Sequence, residues 1–294
     1  MNATIMHINY MESGTNSYGA RTIDDICKIA AELGFDGIEF RGAPPKELAD
    51  MSFREYAEAI AAAKKKYGLT EIIFCISMPQ CTNPDAEVRA RGIAEAIEQA
   101  KIVNEVCGTT VCNTLAAPIK CPISTVPPRA WEFHGSAASK EEDWKLTADA
   151  YQQLGAAVLP LGMKFGFETH MRYLHDVPVA TKKLVDMIDS PAIGVNMDYG
   201  NAVYFPNCPS VTETIDIYGD KLFYLHLKNS ATTSNGRFAT ALSEGTINHR
   251  QYLTKLKQIG FTGPIGIESS RGGDKEWFAK QDIAYFKSIA ATLW

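Results

Sequence analysis

Short apolar, β-rich runs alternate with longer amphipathic runs along the whole chain. Runs rich in β-branched and aromatic residues predict strands at TIMHINYM (4–11), DGIEF (36–40), EIIFCISM (71–78), TTVCNTL (109–115), KFGFETH (164–170), AIGVNMD (192–198), LFYLHLK (222–228) and PIGIESS (264–270). Between them lie helical patterns such as IDDICKIAAELG, FREYAEAIAAAKKKYG, AEVRARGIAEAIEQAKIVNEVCG and YLTKLKQIG. Several of these end in glycine, the preferred residue just past a helix. AAELGFDGIEF shows the unit: helix, glycine stop, short turn, strand. Eight strands with intervening helices and no linker predict a closed parallel (β/α)8 TIM barrel, a single α/β domain over residues 1–294. The competing architecture is an open doubly wound sheet. No G-x-G-x-x-G follows the first strand, which counts against its dinucleotide-binding form.

Two connections stand out. The longest, between the fourth strand and the helix after it, covers about 116–142 and contains IKCPISTVPPRAWEFHGSAASKEED. A segment that long in a compact domain is usually functional or disordered. Arg129, Trp131, Phe133 and His134 fit either a lid over the barrel mouth or an oligomer contact, with a second copy or with another chain. SATTSNGRFATALSEGTI, after the seventh strand, reads as another mouth loop.

The chemistry sits at the strand ends. FGFETH carries Glu168 and then His170; GVNMD, FYLHLK and GIES carry Asp198, His226 and Glu268. In a barrel of this type the C-terminal strand ends form the active-site face. Three carboxylates gathered in a low-dielectric mouth repel one another and resist desolvation. A divalent cation held by three carboxylates and one imidazole is the simplest compensation. Oxygen-rich ligation with one nitrogen favours Mn2+, with Mg2+ or Co2+ as alternatives, over structural zinc.

Charge and composition narrow the class. Net charge is −5 and no basic stripe occurs, so a nucleic-acid partner has no electrostatic footprint. No apolar run reaches the roughly 20 residues a bilayer span needs, and the N-terminus lacks a signal-peptide pattern. Seven cysteines, an odd number with no Cys-x-x-Cys, read as reduced buried thiols. The expectation is a cytoplasmic protein acting on a small carbohydrate, with no membrane partner.

GFDGIEF, FGFETH, VNMDYGN, LHLKN and GIES together resemble the xylose-isomerase-like TIM-barrel superfamily over essentially the whole chain. That group holds sugar isomerases and epimerases, inosose and 3-dehydroshikimate dehydratases, and lyases acting on 3-keto sugars. The resemblance implies that Glu168, Asp198, His226 and Glu268 are metal ligands. It also implies that Glu168 and Glu268 serve as acid and base on opposite substrate faces, as in the epimerase branch. Two positions depart from that branch. Its histidine after the strand-six aspartate is replaced within DYGNAVYF, and its arginine after the strand-seven histidine within HLKNSATTSNGR, where Arg237 comes much later. The E-T-H step resembles the dehydratase and keto-sugar lyase branches instead.

Strand alternation predicts that Glu168 and His170 point the same way, with His170 at substrate level as a general base. Lys228 shares the parity of His226 and reads as a substrate contact or a partner of Asp198 or Glu268. Glu39, His7 and Asn113 read as pocket-lining groups, with Trp131 and His134 added from the long loop. His175 reads as a residue on the approach to the next helix. The expected reaction starts with loss of a proton next to the carbonyl of a sugar or polyol-derived ketone. Isomerase or epimerase activity is the leading outcome; β-elimination by a dehydratase or lyase is the alternative. A non-catalytic sugar-binding subunit is the reading of a different class. Apurinic-site endonucleases share the barrel, but they need a DNA-binding surface that net charge −5 does not provide.

Overall fold

The computed structural model describes residues 22–44, 48, 50–234, 236–268 and 271–294, with the backbone of 6–8. His7 therefore lies on a described strand, but its side chain is outside the described residues, as is the rest of the expected first strand. The strands are β1 (Met6–Ile8), β2 (Gly37–Arg41), β3 (Glu71–Cys75), β4 (Val111–Thr114), β5 (Lys164–Glu168), β6 (Ile193–Asp198), β7 (Leu222–Leu227), β8 (Asn229–Thr233), β9 (Gly236–Thr240) and β10 (Ile265–Ile267). The helices are α1 (Ile23–Leu33), α2 (Phe53–Tyr67), α3 (Ala86–Cys107), α4 (Glu141–Val158), α5 (Pro178–Ile188), α6 (Tyr199–Ala202), α7 (Val211–Tyr218), α8 (His249–Gln258) and α9 (Lys275–Leu293). Eight strands form one sheet in the order β1-β10-β7-β6-β5-β4-β3-β2, and β8 and β9 form a separate pair. With that pair set aside, the strands from β2 to β10 follow one another in the sheet as in the chain, with helices between them, and β1 pairs with the last strand, β10, the strand order of a (β/α)8 barrel. Among the described residues, no helix is long and apolar enough to cross a membrane.

The helix starts follow local rules. Thr22, Ser52 and Ser210 each cap a helix and receive the backbone N–H of Asp25, Glu55 and Glu213, whose carboxylates accept from the cap residue in return. These reciprocal bonds satisfy N–H groups that a helix leaves orphaned. Gly34 closes α1 in the left-handed conformation, as its place in AAELG predicts.

The chain clusters into two compact units. The first contains Met1–Phe74, Glu105–Thr109 and Leu225–Trp294. Its core includes Phe40, Phe53, Tyr56 and Phe74, whose rings meet at centroid distances of 6.0–6.4 Å, mostly tilted or edge-on. Such pairs each add about 0.5–1.5 kcal/mol beyond their burial. The segment expected to be a loop after the seventh strand holds the antiparallel β8–β9 pair, from Asn229↔Thr240 to Thr233↔Gly236. The turn and loop residues of SATTSNGRFATALSEGTI mask a short hairpin whose arms carry Thr232, Thr233, Phe238 and Thr240.

The second unit contains Cys75–Asn104 and Thr110–Tyr224. There β4, β5 and β6 pair in parallel, with Asn113↔Gly166 and Gly166↔Gly194 in register. A Cβ on Gly166 would lie 2.7 Å from the Asn196 backbone nitrogen, so position 166 admits only glycine. The periodicity carries the third strand to residue 78, whereas β3 ends at Cys75. Beyond it, Ile76 and Met78 still donate to the Asn113 and Leu115 carbonyls at 3.0 Å, so the apolar run continues as irregular pairing. The 116–142 connection is built as well. It contains short 3-10 turns at Trp131–Phe133 and Gly135–Ala138.

All seven cysteines remain thiols. Burial pushes the thiols of Cys107 and Cys208 up to about 11, which holds them protonated and unreactive at neutral pH.

Candidate metal centre

In the second unit, Glu168 and Asp198 are the last residues of β5 and β6. Both are buried. Three amides hold them. Asn113 Nδ2 donates to Glu168 Oε2 at 2.8 Å, and Asn196 Nδ2 donates to Asn113 Oδ1 at 3.0 Å, so the carboxylate is fixed through β4 and β6. Asp198 also caps α6, receiving the Asn201 backbone N–H at 3.1 Å. The Asn201 side-chain nitrogen lies 2.8 Å from Asp198 Oδ2, 3.0 Å from the Thr169 carbonyl and 3.4 Å from Glu168 Oε1. One neutral side chain thus spans both carboxylates.

In the first unit, His226 lies on β7 opposite Gly266 of β10, and Glu268 follows β10 directly. The Glu268 backbone N–H donates to the Leu227 carbonyl at 2.9 Å, which continues the pairing past the strand end. His226 Nε2 lies 2.7 Å from Glu39 Oε2 on β2. A carboxylate there accepts a hydrogen bond from Nε2–H and leaves Nδ1 with its lone pair as the ligating atom. That Nδ1 stands 3.5 Å from Glu268 Oε2. The same oxygen accepts from Lys228 Nζ at 2.8 Å.

Glu168, Asp198, His226 and Glu268 each offer a ligand atom, and these atoms all lie within 4.8 Å of one another. Oxygen and nitrogen donors bind small divalent cations at about 2.0–2.2 Å, so donors on opposite sides of one ion stand about 4.0–4.4 Å apart. The spread suits a single ion after small adjustment. The donor set suits it too: an imidazole lone pair facing a carboxylate oxygen is repulsive until something positive lies between them.

The rim of the second unit is shaped by residues 169–177. β5 ends at Glu168, so strand alternation does not extend to His170. The His170 backbone N–H instead donates to the His175 carbonyl at 3.1 Å. Its ring Nδ1 lies 3.0 Å from the Met171 carbonyl. As the donor in that bond, Nδ1 leaves the Nε2 lone pair as the basic position. His170 is half-buried, edge-on to Tyr173 at 5.4 Å. His175 is fully buried; Nδ1 donates to the Glu168 carbonyl at 2.6 Å and Nε2 accepts the Ala116 N–H at 3.1 Å. Burial pushes its pKa down to about 3, so it is a neutral clip between β5 and the long loop.

That loop is fastened to the same turn elsewhere. Ile119 N–H donates to the Arg172 carbonyl at 2.6 Å. The Arg172 guanidinium donates to the Pro128 carbonyl at 2.8 Å and lies 5.0 Å from the Trp131 ring. Ser136 N–H donates to Asp176 Oδ2 at 3.0 Å. Gly135, at φ 57°, leaves the space a Cβ would occupy 2.2 Å from that oxygen.

Several residues expected at the substrate hold other groups. Glu39 holds His226, Asn113 holds Glu168, and Lys228 holds Glu268. His134 uses both ring nitrogens inside its own loop: Nδ1 accepts the Cys121 N–H at 2.9 Å, which makes Nε2 the donor to the Pro127 carbonyl at 3.2 Å. Trp131 faces Arg172. Asn196 and Asn201 are absent from the sequence-based candidates. The D-x-x-N spacing of DYGN was the available signal, since an aspartate capping a short helix meets the residue three positions on.

The family described as xylose isomerase-like TIM barrel matches residues 27–289. An inosose dehydratase from Clostridium perfringens is 29% identical over 217 residues, 71% of this chain and 64% of that protein's length. The chain therefore spans less than two thirds of that relative. A xylose isomerase-like TIM barrel protein from Mycobacterium smegmatis, solved in complex with magnesium, superposes with a TM-score of 0.73 at 18% identity, covering 99% of this chain and 97% of the other. D-allulose 3-epimerase from Methylomonas sp. gives 0.73 at 18% identity, covering 98% and 99%.

Proposed function

Since the chain belongs to the xylose isomerase-like TIM barrel family, we propose that it is a divalent-metal-dependent enzyme that removes a proton next to the carbonyl of a keto-sugar or keto-polyol and then eliminates water. The observation that carries the first half is the three-carboxylate, one-imidazole cluster, of which Glu168, Asp198 and His226 are buried, with a half-buried histidine two residues beyond Glu168. Glu168, Asp198, His226 and Glu268 would hold the cation. When bound, the cation supplies Lewis-acid stabilisation of negative charge on the substrate's carbonyl oxygen.

The protein's own groups divide the remaining work. His170 takes the proton at Nε2, because the Met171 carbonyl occupies the Nδ1 side. The enolate so formed expels the β-hydroxyl as its electron pair becomes the new C=C bond. The protonated His170 can return that proton to the leaving oxygen, which balances the step as loss of one water. Asn113 and Asn201 keep Glu168 and Asp198 in place without neutralising them. His175 fixes the strand end that carries Glu168, and Glu39 fixes the imidazole of His226.

Elimination is favoured over epimerisation by the dehydratase relative, and by DYGNAVYF and HLKNSATTSNGR, which lack the histidine and the early arginine of the epimerase pattern. Epimerisation stands as the second reading because an allulose 3-epimerase shares the fold. Incubating the metal-loaded protein with keto-inositols and keto-sugars in deuterium oxide separates the two. Loss of water with a new conjugated carbonyl absorbance supports elimination. Recovery of a deuterated ketone of altered configuration supports epimerisation. No exchange and no product across the panel, with metal bound, overturns both.

A further inference from the structure

Two groups of the first unit meet on one carboxylate oxygen. Glu268 Oε2 faces His226 Nδ1 at 3.5 Å and accepts from Lys228 Nζ at 2.8 Å. The Lys228 side chain is only 14% exposed and that of Glu268 25%, so solvent screens the pair weakly. A cation seated between the imidazole and this carboxylate must share Oε2 with the ammonium or take it over. Two positive charges on one oxygen repel, whereas the amides on Glu168 and Asp198 add no net charge against a metal.

Resting on the metal reading above, we infer that Lys228 is an internal counter-ion that competes with the divalent cation for Glu268 and is released when the metal binds. Without metal, the ammonium stabilises Glu268 beside the His226 lone pair. With metal, it gives up Glu268 and is available to donate to a negatively charged substrate oxygen. Lys228 is thus a positioning residue for the metal first and a substrate contact second.

The test uses chelator-stripped full-length protein and Mn2+ alone, with no substrate, titrated by calorimetry. Lys228→Met keeps the apolar stem and removes the charge. It is expected to bind Mn2+ about 10- to 100-fold more tightly than wild type, the scale of one hydrogen bond to a charged group. Lys228→Arg keeps the competitor and is expected to stay nearer wild type. In the wild-type protein, labelling of Lys228 by an amine-reactive reagent, followed by peptide mass analysis, should accelerate when Mn2+ is added. Should Lys228→Met fail to fold, this labelling decides the matter. Unchanged or weaker Mn2+ binding in a folded Lys228→Met protein, or labelling indifferent to Mn2+, overturns the inference while leaving the metal reading intact. Absence of Mn2+ and Mg2+ binding to wild type overturns the metal reading itself, and the counter-ion role with it.

Discussion

Glu168 and Asp198 are held by neutral amides; Glu268 and His226 are held by charged side chains. Amide donors orient a carboxylate and favour its ionised form, but leave its charge uncancelled. A lysine cancels the charge, and a carboxylate behind an imidazole enriches it. The amides of Asn113 and Asn201 therefore orient two ligands without competing with a cation for them. The Glu268 carboxylate is already paired with Lys228, and that pair must be rearranged to accept a cation.

The comparison breaks first at the ligands. Glu168→Gln or Asp198→Asn removes charge from the amide-held carboxylates. Metal content by elemental analysis should collapse, and turnover should fall on the order of 10³-fold or more, the scale of several kcal/mol of lost charge stabilisation. Glu268→Gln should also reduce both. Full occupancy and full turnover in any of the three would remove that residue from the centre.

His170→Gln should separate chemistry from metal binding. Metal content is expected to stay near wild type, with turnover down about 10²–10⁴-fold, the usual scale for one general base. Substrate affinity should change less than turnover. A variant that keeps its turnover but loses affinity would make His170 a binding group, leaving a carboxylate as the base.

Supporting residues sharpen the comparison at smaller effect. Asn201→Ala and Glu39→Gln should each weaken metal affinity by about 10- to 100-fold, as removal of a ligand's hydrogen-bond partner does. They should differ in kind. Losing Asn201 loosens two carboxylates at once, so a double variant with Asn113→Ala should be non-additive, since both amides act on Glu168. Glu39→Gln should act through His226 alone and add independently to Asn201→Ala. Additive losses for the two asparagines would show that Asn201 acts only on Asp198.

What could be read from the chain has a physical boundary. Strand and helix alternation depends on local periodicity, and the helix stops at Gly34 and Gly68 depend on single residues, so both are legible. The four polar strand ends stood out because ionisable groups interrupt apolar runs at the same point of the repeat. The Glu39–His226 bond joins residues 187 positions apart, and no local pattern encodes which of several strand-end groups will meet. Asparagine carries no charge, so Asn196 and Asn201 looked like ordinary strand and turn residues. His170 looked co-facial with Glu168 because alternation was carried past the strand end. Sequence cannot say where a ladder stops when the apolar run continues.

Asp176 asks whether neutral donors suffice for a buried carboxylate away from the centre. Its side chain is buried, its Oδ2 takes the Ser136 N–H, and its Oδ1 has no hydrogen-bond partner. Burial raises its pKa from 3.8 to about 6. The folded protein thus holds this proton more tightly than the unfolded chain does. The destabilising contribution of the buried anion is fully present above pH 6 and is relieved as pH falls through 6 toward 3.8. A shift of about two units corresponds to about 3 kcal/mol, an order-of-magnitude figure. His175 and His249 oppose this in the raw profile. Burial lowers them to about 3 and about 4, so each withdraws stability as pH falls below 6.5. The difference between wild type and Asp176→Asn cancels both histidines, which the two proteins share. Urea unfolding from pH 7.5 to pH 4 should show wild type gaining up to about 3 kcal/mol relative to the variant on acidification, whichever protein is the more stable at pH 7.5. A flat difference would mean that Asp176 binds its proton no more tightly folded than unfolded, its neutral donors having offset the cost of burying the carboxylate.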